Sequence, residues 1–402
     1  MGLRRFDLPY GKGKVSFELP EEQILDVVRG RDYPALADLE ASYRRALEHP
    51  YDSPPLSQIV KPGQSVTILV ADITRAWHRN ADTLIHLIEA LNDLGVPDER
   101  LTVIIAVGGH RANTDREFID LCGKEVCHRI KVVNHDAYDT PNMVYLGRTS
   151  RGTEVAVNRL AVEADRLIMT GGVIHHFMVG YGGGRKMVLP GISSIKTIRQ
   201  SHLWSLGPNL GDGSLPQAIS GVTRGNPAHD DMMDVCSFVN PDFIVNMVPN
   251  QDGEIAGIFA GNWVSAWLEA TKLVDHIFSA EIEELADIVI GSAGGYPRDI
   301  NLYQTSKLMA NCYDACKESG VNVLLSECSD MAEPLEFFKW FDHPTLLEME
   351  RALRAEFTIA GWCAFRAREY CRKPMILLTR PENAELAGRT ALIPAYDVDT
   401  AL

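Results

Sequence analysis

The stretch Arg166 to Lys186, RLIMTGGVIHHFMVGYGGGRK, decides the fold. Its first five residues are an apolar β run that stops on Gly171-Gly172. The loop that follows carries His175, His176, three consecutive glycines (Gly182, Gly183, Gly184), Arg185 and Lys186. Other runs end alike. Ser65 to Ala71 (SVTILVA) leads into Asp72-Ile73-Thr74-Arg75, and Leu101 to Val107 (LTVIIAV) leads into Gly108-Gly109-His110-Arg111. A further run, Ala286 to Ile290 (ADIVI), leads into Gly294-Gly295-Tyr296-Pro297. Short Val, Ile and Leu runs alternating with helix-period segments mark an α/β protein with mostly parallel strands. Ligands in such sheets sit at the carboxyl ends of strands. Arg75, His110 and His176 are therefore expected near one another.

The chain has 402 residues, 46% hydrophobic and 23% charged, which fits two domains with large cores. Each domain is expected to hold a mostly parallel sheet flanked by helices, with the active site in the cleft between them. Helical periodicity from about Trp263 to Val274 places the boundary near Asp275, giving domains 1-275 and 276-402. The second begins with Ala286 to Ile290, continues through a helical stretch from Asn301 to Gly320, and adds runs at Asn322 to Leu325 and Met375 to Thr379. Val144 to Asn158 alternates around a Ser-Arg-Gly turn and reads as an antiparallel hairpin. No apolar run approaches the roughly 20 residues of a membrane span. Met1-Gly-Leu-Arg-Arg enters mixed sequence without an apolar leader, and the eight cysteines are scattered, so a cytoplasmic location with reduced thiols is expected. A net charge of -15 argues against a nucleic-acid partner. A small anionic substrate would need a local cationic clamp.

Glycine permits close backbone approach, and successive amides can cradle an anion, so Gly182, Gly183 and Gly184 with Arg185 and Lys186 read as a phosphate loop. The spacing is neither that of a Walker loop nor that of a dinucleotide fingerprint, because the third glycine of GxGxxG would fall on Arg185. Lys186 is either a point charge on that phosphate or a covalent cofactor anchor. His110, His175, His176 and His202 are four of 12 histidines and lie at strand-end or loop positions. Imidazole serves as metal ligand or as acid/base, and two on separate loops suit removal of a proton from mirror-image substrates. Zinc-hydrolase spacing is absent. Arg75 suits a substrate carboxylate. Gln304 and Lys307 share a helix face three residues apart, next to Tyr303. Cys312 and Cys316, four apart on an expected helix, read as core residues.

With these motifs in view the chain resembles the nickel-pincer lactate racemase family. The resemblance is carried by DITR (72 to 75), GGHR (108 to 111), HFMVGYGGGRKMVLPGISSIKT (176 to 197) with His202, GNPAHDDM (225 to 232) and GGYPRDINLYQTSK (294 to 307). It implies Ni(II) held in a pyridinium-3-thioamide-5-thiocarboxylic acid mononucleotide, the nickel-pincer nucleotide, covalently attached at Lys186. His202 matches the histidine that ligates the metal. Soft sulfur donors with one imidazole suit Ni(II). The resemblance also implies racemisation or epimerisation of a 2-hydroxy acid, lactate or a relative, by reversible hydride transfer from C2. His110 and His176 would be the acid/base pair. Arg75, Tyr303, Gln304 and Lys307 match substrate positions, Asp72 would support Arg75 or the cofactor, and Gly182 to Gly184 would face the nucleotide phosphate. Cofactor-building machinery is the implied partner. His175 receives no role and reads as structural, and Trp362 is expected to wall the pocket.

Two rival readings use the same residues. A pyridoxal-phosphate enzyme would also place a lysine beside a glycine loop, forming a borohydride-reducible Schiff base. A non-catalytic nickel or nucleotide carrier would use the histidines only to hold its ligand.

Overall fold

The computed structural model of the chain describes residues 2–402. It opens with an antiparallel hairpin, β1 (Leu3–Tyr10) and β2 (Gly13–Pro20). Three parallel strands follow: β3 (Val66–Ala71), β4 (Leu101–Ala106) and β5 (Lys131–Asn134). β3 is buried along its whole length, which is why VTILVA shows no polar alternation: helices cover both faces of a parallel sheet. The helix Asn80–Asp93 buries Leu84, Leu87, Ile88 and Leu91, an apolar stripe at helical spacing, against this sheet.

β6 (Met143–Arg148) and β7 (Glu154–Asn158) form the expected hairpin. Its turn is fixed by the fully buried Asp231 carboxylate, which accepts hydroxyl hydrogen bonds from Thr149 (2.6 Å) and Thr153 (2.9 Å). β8 (Arg166–Gly172) then adds to β3 in parallel. Two short strands, β9 (His175–His176) and β10 (Gly180–Tyr181), fold the next loop back on itself. β11 (Phe243–Pro249) lies parallel to β8, and β12 (Ile255–Gly261) returns antiparallel at the edge. The sheet order is β12-β11-β8-β3-β4-β5. The order reverses between β3 and β8, and at such a switch point the loops part and leave a crevice at the carboxyl ends.

The second sheet is wholly parallel, in the order β13 (Ala286–Ser292), β14 (Cys316–Leu325), β15 (Met375–Leu378) and β16 (Ile393–Ala395). These sheets belong to two compact units. The larger comprises Gly30–Leu206 and Leu215–Ser279; the smaller comprises the segment ending at Arg29, Gly207–Ser214 and Ala280–Leu402.

This division differs from two consecutive domains meeting near Asp275. That residue lies inside the helix Ser265–Phe278, whose apolar face carries the larger unit past the expected boundary. The first hairpin joins the smaller unit because Phe6, Leu8 and Phe17 pack with Val323, Leu325 and Leu378. The excursion Gly207–Ser214 is held there by carboxylates: Glu350 accepts from Gly211 N–H (3.0 Å) and Glu369 from Ser214 N–H (3.1 Å).

One further expectation changes. Cys316 does not share a helix with Cys312, because the helix Leu302–Ala315 ends first and Cys316 opens β14, paired with Ala286. Trp362 is 1% exposed, within the helix Ile359–Tyr370 of the smaller unit. Among the described residues no helix is long and apolar enough to cross a membrane.

Candidate active site

The site is built on the carboxyl ends of β3, β4 and β8. Asp72 ends β3 and begins a short 3-10 segment, Ile73–His78. His110 follows β4 through a turn at Gly108, where φ is +58° and the backbone passes Pro190 closely. His110 Nδ1 meets the Asp72 carboxylate at 2.5 Å. The other Asp72 oxygen accepts from the Thr74 hydroxyl at 2.6 Å, and Arg75 Nη1 donates to Thr74 Oγ1 at 3.0 Å. Burial works to raise the Asp72 pKa, yet the His110 and Thr74 hydrogen bonds and the nearby positive charge hold it below the ordinary value. A carboxylate at Nδ1 fixes that nitrogen as the donor and leaves Nε2 with the lone pair. Asp72 is thus the direct side-chain partner of His110, and its carboxylate is linked to the Arg75 guanidinium by hydrogen bonds through Thr74.

His175 and His176 leave β8 on adjacent residues but face different surroundings. His175 Nε2 bonds the Asp275 carboxylate at 2.9 Å, and the Tyr181 hydroxyl donates to the same group at 2.8 Å. That network closes the loop onto the helix Ser265–Phe278. His176 Nδ1 instead accepts from Met178 N–H at 3.2 Å, which places the proton of its neutral ring on Nε2. Burial, followed by the charges of Lys186, Arg75, Arg185 and His202, lowers the His176 pKa well below its ordinary value.

The three glycines are explained largely by the protein itself. Gly183 (φ +64°) and Gly184 (φ +53°) adopt left-handed backbone, and a Cβ on Gly184 would lie 2.6 Å from the Trp267 ring. Gly182 N–H donates to Ile174 O at 2.8 Å, and Gly184 N–H points to Asn246 Oδ1 at 3.4 Å. Two amides of the expected anion cradle are therefore turned inward. Arg185 is fully buried and folds the loop around itself. Its guanidinium donates to the carbonyls of Tyr181 (2.9 Å) and Val179 (2.7 Å) and lies 4.2 Å from the Trp267 ring centre. Next to it, burial and the charges of Arg75 and Arg185 hold the Lys186 amine well below the ordinary lysine pKa.

His202 is the last residue of the helix Ile195–His202 and is 1% exposed. Its Nδ1 bonds Ile198 O at 2.8 Å, leaving Nε2 as the lone-pair nitrogen. Burial and the Lys186 charge lower its pKa to about 3. The charges of Arg75 and Arg185 thus act on both Lys186 and His176 in a chain whose net charge is -15. Such a field favours an anionic ligand.

Tyr303, Gln304 and Lys307 lie in the smaller unit, on the first turns of the helix Leu302–Ala315. Asn301 caps that helix by accepting from Gln304 N–H at 2.9 Å, and Lys307 Nζ donates to Gln304 Oε1 at 2.8 Å. Tyr303 sets its ring edge-on to Phe337, with centres 5.4 Å apart.

Sequence reasoning missed the residues that hold the loop from beneath. Asn226 Nδ2 donates to the carbonyls of Met178 and Gln217, both at 2.9 Å, and Trp267 Nε1 donates to Gly182 O at 2.8 Å. The GNPAHDDM motif contained the first signal. Nothing local marks Trp267, whose partner lies 85 positions away in the chain.

An α/β enzyme with a carboxylate-supported imidazole and a lysine of depressed pKa after the strands of a sheet switch point is the class that fold and site define. Family models sharpen it: residues 10–213 match the lactate racemase N-terminal domain and residues 282–402 the lactate racemase C-terminal domain. A lactate racemase of Thermoanaerobacterium thermosaccharolyticum is 32% identical over 100% of this chain and 94% of its own. A lactate racemase of Lactiplantibacillus plantarum is 31% identical over 81% of this chain and 75% of its own. The apoprotein structure of the Thermoanaerobacterium enzyme superposes with a TM-score of 0.87, covering 98% of this chain and 93% of that one. The chain belongs to the lactate racemase family and is an isomerase.

Proposed function

We propose that the protein inverts C2 of a 2-hydroxy acid, lactate or a close relative, using a nickel-pincer pyridinium mononucleotide attached to Lys186. The observation that carries the reading is that a lysine whose pKa is depressed by burial and by the charges of Arg75 and Arg185, His202 oriented through Nδ1, and the Asp72–His110 pair all lie in the larger unit on the loops and helix that follow its parallel strands.

The residues fit the group. A neutral amine is the form of lysine that makes covalent bonds to an acyl-type carbon. His202 Nε2 has the lone pair a metal requires, and its orientation is set by the bond from Nδ1 to Ile198 O. His202 would be a protein donor to that metal. When bound, the nucleotide supplies the acceptor and donor of the C2 hydride.

The chain's own part is binding and proton transfer. Arg75 offers its guanidinium to the substrate carboxylate. His110, with its lone pair on Nε2, takes the hydroxyl proton, and Asp72 stabilises the imidazolium that forms. His176 presents Nε2–H and serves the opposite enantiomer. A neutral Nε2–H only orients the substrate oxygen, so inversion needs one histidine of the pair as imidazolium to return the proton that the other removes as hydride leaves C2. Substrate roles for Tyr303, Gln304 and Lys307 rest on the motif GGYPRDINLYQTSK and on the cation that Lys307 carries.

The test uses protein produced together with the cofactor-building machinery. Intact mass should show a sulfur-bearing adduct on Lys186, metal analysis should find nickel, and D- or L-lactate should lose optical rotation. A borohydride-reducible adduct without nickel would replace this reading with a pyridoxal one. Cofactor-bearing protein that leaves the stereochemistry of every 2-hydroxy acid unchanged would make it a carrier.

A further inference from the structure

Asp72 stands at the N-cap of the 3-10 segment Ile73–His78, a position that aspartate favours because its carboxylate can accept from backbone N–H groups of the first turn. Here its side chain caps nothing. The two oxygens meet His110 Nδ1 and the Thr74 hydroxyl, and no side-chain cap bond joins Asp72 to the segment. The first backbone donor after it is met from another loop: Asn113 Oδ1 accepts from Ile73 N–H at 3.1 Å. Asn113 is 6% exposed, and its amide is held in one orientation. Asn134, the last residue of β5, accepts from Asn113 N–H at 2.9 Å and from Asn113 Nδ2 at 3.2 Å, and donates its own Nδ2 to Asn113 O at 2.8 Å. With Nδ2 committed to that acceptor, the amide presents Oδ1 to Ile73. Asn134 is in turn paired with Ile105 of β4. One side chain therefore ties the ends of β3 and β5 together, and it belongs to the loop that carries His110 out of β4.

We propose that Asn113 is a positioning residue for proton transfer at His110: it caps the Ile73–His78 segment in place of Asp72, and so leaves the Asp72 carboxylate free to hold the imidazole. The competition is local. An aspartate beside unmatched N–H groups of its own turn bonds them readily, and an oxygen spent there is withdrawn from His110 or Thr74. Asn113 removes that alternative by satisfying Ile73 N–H, and as an amide it adds no charge beside the Asp72–His110 pair. The same bond fixes the spacing of the two loops, because its ends lie one residue beyond Asp72 and three beyond His110. The inference rests on the proposed function for the reaction that His110 serves, but not for the Asp72–His110 bond itself.

The test uses Asn113→Leu, which keeps the size of the side chain and removes its acceptor, in wild-type and Asp72→Asn backgrounds. Nitrogen NMR of the full chain labelled at histidine, with and without cofactor, reads the His110 tautomer at alkaline pH; its signals are assigned by their loss in His110→Asn. Wild type should hold the proton on Nδ1, and Asn113→Leu should lower the ratio of Nδ1–H to Nε2–H at least threefold, because the Asp72 carboxylate has been drawn away. In cofactor-bearing protein Asn113→Leu should lower kcat for lactate at least tenfold with KM changed less than threefold. In the Asp72→Asn background the same substitution should lower kcat less than threefold, since the bond it protects has already gone. A purely structural role predicts an unchanged tautomer and equal losses in both backgrounds, and either result would overturn the proposal. Should Asn113→Leu fail to fold, Asn134→Ala, which releases the Asn113 amide from its far side, is read by the same two criteria. The tautomer needs neither nickel nor turnover, so failure of the nickel reading is distinguishable from failure of the Asn113 assignment.

Discussion

His110 and Asp72, 38 residues apart in sequence, are joined at 2.5 Å across the ends of two adjacent parallel strands. The bond exists because β3 and β4 run in register, Ala71 opposite Ala106, so the residues that leave each strand emerge side by side.

Asp72→Asn should therefore disable proton transfer more than binding. An amide at that position can hold the wrong tautomer and cannot stabilise the imidazolium, so kcat should fall by roughly 10²- to 10⁴-fold with a smaller change in KM. Polarimetry on cofactor-bearing protein reads both. A kcat within threefold of wild type would remove Asp72 from the mechanism.

The same carboxylate should leave a mark on acid stability. Its folded pKa is lowered, so its contribution is complete above the ordinary value of 3.8 and is lost as pH falls through the folded value. Urea midpoints of wild type and Asp72→Asn should therefore converge below about pH 3.8 and separate above it. A gap independent of pH would contradict the depressed pKa.

Lys186 shares the direction of that pH dependence but destabilises the fold at neutral pH. Its folded pKa is depressed, so the unfolded state binds the proton more strongly, and lowering the pH below 10.5 destabilises the fold until the folded pKa is passed. Lys186→Met should raise the melting temperature of cofactor-free protein, with an advantage that grows from pH 10 towards neutrality. It should also abolish the mass adduct. A melting temperature equal to wild type at both pH values would show the amine to be solvated.

His202→Ala should separate tether from metal. The Lys186 adduct should persist while nickel per protein falls at least tenfold, the usual scale for losing a metal's protein support. Intact mass and metal analysis on one preparation decide it. Full nickel retention would exclude His202 as ligand.

Arg185 should behave as a structural cation. Arg185→Met strands the carbonyls of Val179 and Tyr181 and removes the guanidinium from Trp267, so unfolding free energy should drop by about 2 to 4 kcal/mol. Gly184→Ala should cost about 1 to 3 kcal/mol, because left-handed backbone and contact with Trp267 both oppose a Cβ. Denaturant titration checks both, and wild-type midpoints would contradict the packing.

Much of this was legible locally. The runs ending in DITR, GGHR and GGVIHH are strands whose loops gather at one sheet edge, because parallel strands share a carboxyl end. His175 reads as structural from its lack of a role, and the Asp275 bond accounts for it. The glycine stretch was harder. As sequence it resembles an anion cradle, whereas two of its amides and its left-handed turns serve Ile174, Asn246 and Trp267. Cys316 was misplaced because an apolar run after a helix continues its period as readily as it starts a strand.

The sequence by itself determined the α/β class, the order of strands and loops, and the residues able to do chemistry, since these depend on local period and on side-chain type. Tertiary structure decided which of them meet. It set Asp72 against His110 and sent His175 and His176 to different partners. It also buried Arg185 beside Lys186 and moved the first hairpin into the smaller unit. The reason is physical: hydrogen bonds and pKa shifts act over a few ångströms, and only the packed chain fixes which distant residues come that close.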